Sequence, residues 1–91
     1  MNLNELLNYS LDSGASDLHL SVGSVPMVRI NGTMKPLNVD VLKQSEMEKM
    51  LPQVMNEDQQ KLFKENKEID FSKTLEGKGR FRVNFFNQIN G

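Results

Sequence analysis

The sequence predicts an α+β domain, a largely antiparallel sheet of about five or six strands with helices packed on one face. Three observations carry that expectation. Apolar residues recur at helical spacing in some segments, alternate with period two in others, and an Asn-Gly pair joins two of the alternating runs. A chain of 91 residues buries roughly 64% of its extended-chain surface on folding, enough for one modest core and too little for two. Residues 1–91 are therefore read as one domain. With 37% apolar residues, its core is expected to be thin and to lean on something outside this chain.

The elements follow in order. Leu3, Leu6, Leu7 and Leu11 form one helical stripe over about 3–13, with Asn2 and Glu5 spaced as a capping box and Gly14 as the closing residue. From Asp17 the period becomes two: Leu18, Leu20 and Val22 point one way, Asp17, His19 and Ser21 the other. A second extended run, Val25 to Ile30, turns at Asn31-Gly32, where both residues tolerate positive φ. The returning strand carries Met34 and Leu37, and Pro36 marks it as short or at an edge.

Ser45 to Glu48 reads as a second capping box, opening a helix through Met47, Met50 and Leu51 that Pro52 kinks or stops. Asn56 and Gln59 open a third helix that carries Leu62 and Phe63 inward. Ile69 and Phe71 alternate with Glu68, Asp70 and Ser72 in a strand, and Glu76-Gly77-Lys78-Gly79 makes a turn. The last strand runs from Arg80 to about Gln88, with Phe81, Val83 and Phe85 opposite Arg80, Arg82 and Asn84. The six methionines read as core filler. The sequence halts at Asn90-Gly91 directly after this strand, which reads as a cut through a longer protein.

Composition narrows the function. Eleven Lys and Arg against twelve Asp and Glu give a net charge of −1, which argues against a nucleic-acid partner. The absence of cysteine removes disulfides, thiol catalysis and cysteine-ligated zinc, and one histidine cannot build a multi-His metal site. Neither a signal peptide nor a membrane span is visible, so a soluble cytoplasmic domain is expected. Gly77-Lys78-Gly79 lacks the spacing of a phosphate-cradling loop, and nucleophile-elbow and zinc-helix motifs are absent. No residue of this chain is read as catalytic, and the chain alone is expected not to be an enzyme.

Two pairs of residues remain as candidates. His19 and Asp17 share the polar side of one strand; the imidazole either bonds Asp17 or a carbonyl, or faces a second domain where its near-neutral pKa matters. Arg80 and Arg82 lie about 7 Å apart on one strand face. They are either solvated side chains whose stems cover the sheet or forks presented to phosphate oxygens.

The blocks Gly14-Ala15-Ser16-Asp17-Leu18-His19-Leu20-Ser21, Pro26-Met27-Val28-Arg29-Ile30-Asn31-Gly32, Asp70-Phe71-Ser72 and Gly79-Arg80-Phe81-Arg82-Val83-Asn84-Phe85-Phe86-Asn87-Gln88 occur in that order. Together they resemble the N-terminal domain of the type IV pilus retraction ATPases of the secretion-ATPase superfamily, over essentially the whole chain. The resemblance implies a PAS-like domain followed, in the parent protein, by a RecA-like ATPase domain that holds ATP and Mg²⁺. It implies a cytoplasmic homohexamer peripheral to the inner membrane, in which this domain packs on a neighbouring subunit and the motor pulls on a membrane platform protein. It places Arg82 where an arginine of the family approaches the phosphates, with a second such arginine beyond Gly91; Arg80 is a weaker match. The alternatives are a stand-alone PAS-like small-molecule sensor, which requires an apolar interior pocket, and an assembly module of a secretion ATPase.

Overall fold

The computed structural model describes residues 3–75, 77 and 79–87. These form α1 (Leu3–Asp12), β1 (Asp17–Ser21), β2 (Met27–Ile30), β3 (Thr33–Pro36), α2 (Gln44–Val54), α3 (Glu57–Asn66), β4 (Glu68–Leu75) and β5 (Gly79–Phe86). The order matches the expected one. Asn2, half of the first expected capping box, lies outside the described residues, as do Glu76 and Lys78 of the last turn and Gln88 at the strand's expected end.

The strands form one sheet in the order β3-β2-β1-β5-β4. Three pairings are antiparallel, while β1 and β5 run parallel, with Leu18 opposite Val83 and Leu20 opposite Phe85. A lone parallel bridge between Val22 and Leu42 extends the sheet beside β1. The hairpin between β2 and β3 turns on Asn31 at φ 52° and Gly32 at φ 78°, the left-handed pair that matches strand twist. Pro36 closes the edge strand β3, where its missing N–H costs no ladder bond inside the sheet.

One sheet face is the core. Leu18, Leu20, Val28, Val83 and Phe85 are buried there with Leu3, Leu6 and Leu7 of α1, Met47, Met50 and Leu51 of α2, and Phe63 of α3. Phe85 stacks on Phe71 at 6.1 Å between centroids and meets the edge of Phe63 at 6.3 Å. Favourable ring geometry thus reinforces the contact between α3 and the sheet. Ser10 is buried because its hydroxyl donates to the Leu6 carbonyl at 2.6 Å, one turn back in α1.

Four local expectations are corrected. Only Phe63 of α3 turns inward; its neighbour Leu62 is 50% exposed, because a 100° step per residue leaves room for one large side chain at this narrow seam. The second capping box sits two residues earlier than Ser45: Lys43 is the N-cap, and Glu46 accepts a hydrogen bond from its backbone N–H at 3.2 Å. A lysine ammonium offers no acceptor, so that box is one-sided. Pro52 does not stop α2, which continues to Val54; lying near the helix end, it leaves few bonds beyond it to lose. Met47, Met50 and Met55 fill the core as expected, but Met27 and Met34 are half-buried on the opposite sheet face.

Candidate functional site

The second face of the sheet carries the polar residues of the same strands, and the register arranges them in rows. One row runs Met34, Arg29, Asp17, Arg82, Ser72 across β3, β2, β1, β5 and β4. The next runs Pro36, Met27, His19, Asn84, Asp70. Alternation alone puts each residue on this face; only the parallel pairing of β1 with β5 brings Asp17 beside Arg82. Two backbone bonds hold that register next to the site: the Ser16 amide donates to Arg29 O at 2.9 Å, and the Arg82 amide donates to Ser16 O at 3.0 Å.

Asp17 is the buried centre of the row, its side chain only 12% exposed. The Arg29 Nε–H donates to its Oδ2 at 3.0 Å, and Arg82 Nε stands 4.0 Å from its Oδ1. Arg29 also donates from Nη1 to Gly32 O at 3.3 Å, tying the hairpin turn to the row. Arg82 extends the other way, and its Nη2 donates to Asp70 Oδ2. That hydrogen bond, with the nearby charges of Asp70 and Asp17, pushes the Arg82 pKa further above its ordinary value, so the guanidinium stays cationic. Its side chain is 61% exposed, and that of Asp70 39%.

The four expected residues therefore share this face, though not one contact. Asp17 and Arg82 are neighbours. Arg80 lies one pleat further along β5, exposed and opposite Thr74. His19 does not bond Asp17, whose oxygens serve the two arginines; its Nε2 is buried and has no hydrogen-bond partner among the described residues. Arg29 and Asp70 were singled out by no spacing argument. Their alternation with Val28 and with Ile69 and Phe71 placed them on the polar face, and the sheet order then brought them to the row.

This arrangement offers a planar cation, steadied by a buried carboxylate and open to solvent, which suits the oxygens of a phosphate. It offers no chain of backbone amides to wrap one. Among the described residues no group of three His, Asp or Glu side chains could hold a metal ion. No helix among them is long and apolar enough to cross a membrane. A cavity of about 580 Å³ opens near α2, lined by Asn38, Val39, Asp40, Lys43, Ser45 and Glu46. Charged and polar residues make up most of the side chains named along it, so this cavity is not an apolar interior chamber of the kind a small-molecule sensor needs.

Comparison with known proteins decides the family. The chain is 44% identical over its full length to the type IV pilus retraction ATPase PilT of Pseudomonas aeruginosa, covering 26% of that protein. It is 36% identical over 99% of its length to the type IV pilus ATPase PilU of the same organism, covering 24% of it. A crystal structure of the pilus retraction motor PilT with bound ADP superposes on 94% of the chain with a TM-score of 0.71 at 37% identity, covering 25% of that structure. The chain is a PilT-type N-terminal domain. It spans about a quarter of the length of these PilT and PilU relatives. The PilT structure also bears out the α+β, PAS-like fold class. No protein-family model matches the chain.

Proposed function

We propose that this domain serves a hexameric PilT-type ATPase that powers type IV pilus retraction, and that it supplies Arg82 as a phosphate-sensing cation. The observation that carries the reading is Arg82 itself, charged, 61% exposed and steadied from behind by Asp17 on the sheet face opposite the core. ATP and Mg²⁺ belong to a RecA-like domain of the longer protein; the residues present here fit one phosphate contact and nothing more of that site. When bound there, the nucleotide and its metal supply the hydrolytic chemistry. This domain adds positive charge only when its open face closes on the phosphates, so the nucleotide state biases domain orientation. Around a ring of subunits, with each open face set against a neighbour, that bias becomes ordered movement delivered to an inner-membrane platform protein. The site of action is the cytoplasmic side of the inner membrane.

The test is Arg82→Ala in the full-length protein that carries this domain. ATP turnover is expected to fall on the order of a hundred-fold, with thermal stability and ring assembly retained. Turnover equal to that of the parent overturns the assignment of Arg82.

A further inference from the structure

The two carboxylates that face Arg82 are unlike one another. Asp17 is buried, held by Arg29 at 3.0 Å, and reaches Arg82 only at 4.0 Å through Nε. Asp70 is more exposed, sits on the edge strand β4, and takes the outer Nη2 corner of the fork. It reaches Arg82 diagonally, since its own register partner is Asn84 and that of Arg82 is Ser72. Asp17 is thus a fixed support, whereas Asp70 occupies the corner that an incoming anion would use.

Resting on the reading of Arg82 as a phosphate contact, we propose that Asp70 is a built-in competing anion that sets how strong a phosphate ligand must be to capture Arg82. Ion pairs between exposed side chains are weak because water screens both partners and their ordering opposes the attraction. A carboxylate carries one charge, and a terminal phosphate more than one together with three acceptor oxygens. A polyphosphate therefore displaces Asp70, while a singly charged anion competes poorly. On displacement Asp70 returns to water at the sheet edge, and Asp17 keeps the guanidinium over the row. Removing the Asp70 charge therefore tightens anion binding, the opposite of what loss of a merely structural contact would do.

The experiment uses the ¹⁵N-labelled 91-residue chain titrated with tripolyphosphate at fixed ionic strength, following the side-chain Nε–H signals of the arginines. Asp70→Asn is expected to bind about two- to five-fold more tightly than the parent chain, the weight of one exposed ion pair. Asp70→Glu is expected to restore competition, and Glu65→Gln on α3 removes one negative charge away from the row as a control. The inference is overturned if Asp70→Asn binds like the parent, or if Glu65→Gln tightens binding equally. Arg82→Ala separates the two ideas. If it abolishes binding while Asp70→Asn changes nothing, only the role of Asp70 falls; if it leaves binding intact, the phosphate role of Arg82 falls as well.

Discussion

Phe85 and Phe86 are consecutive, and the sheet register sends them to opposite faces. Phe85 is fully buried between Leu20 and Ile69 in the ladder, against the rings of Phe63 and Phe71. Phe86 is 37% exposed on the face of Asp17 and Arg82. Truncating a buried phenylalanine to alanine costs about 3–5 kcal/mol, because the lost transfer energy is joined by the cavity left behind. At roughly 0.05–0.15 kcal/mol per residue, a domain of this size holds only about 5–14 kcal/mol in all. Phe85→Ala is therefore expected to remove about a fifth or more of the stability and to lower Tm on the order of 15–30 °C. Phe86→Ala is expected to cost under about 1 kcal/mol, in the range of partly exposed sites. Urea and thermal unfolding followed by circular dichroism read both. Equal losses, or the larger loss at Phe86, would refute the register, since a slip by one residue exchanges the two faces.

Other outcomes follow from the helix ends. Asn56 accepts from the Gln59 amide at 2.8 Å while Gln59 Oε1 accepts from the Asn56 amide at 3.0 Å. Asn56→Ala is expected to destabilise by about 1 kcal/mol in urea unfolding. The Lys43 backbone N–H beside Glu46 holds its carboxyl below the usual carboxylate range. The stability this adds is present above the unfolded-state pKa and is lost as pH falls through the lower folded-state value. Glu46→Gln is thus expected to lower stability by a constant amount at neutral and higher pH, with no change of slope there, and to flatten the acid limb of the stability-against-pH curve.

Much of this architecture can be read locally. Period-two alternation separates Leu18 and Leu20 from Asp17 and His19, Asn31-Gly32 announces its hairpin, and Asn56 with Gln59 announces its helix. Each signal lies within a few residues. What stays hidden depends on partners far along the chain. No local pattern distinguishes a parallel neighbour for β1 from an antiparallel one, yet the Asp17–Arg82 contact spans most of the sequence and exists only through that choice. Leu62 and Phe63 are equally apolar, and the position of Phe85 beneath α3 selects which one is buried. The cap of α2 shifts because Glu46 reaches back to Lys43, a competition among several nearby carboxylates and hydroxyls that spacing cannot rank. Strand alternation brings Arg80 and Arg82 forward and the motif resemblance favours Arg82; topology places Arg29 and Asp70 around it.

The central claim is that the open sheet face, through Arg82, meets a phosphate. Amide shift mapping of the ¹⁵N-labelled chain during a tripolyphosphate titration tests it most directly. The expected result is a contiguous set of perturbed signals at Asp17, Arg29, Asp70, Arg82 and Asn84, with α1 and the Phe63–Phe85 core quiet. Perturbation centred instead on Gly77 or on the cavity at residues 38–46, with Arg82 unmoved, would contradict it.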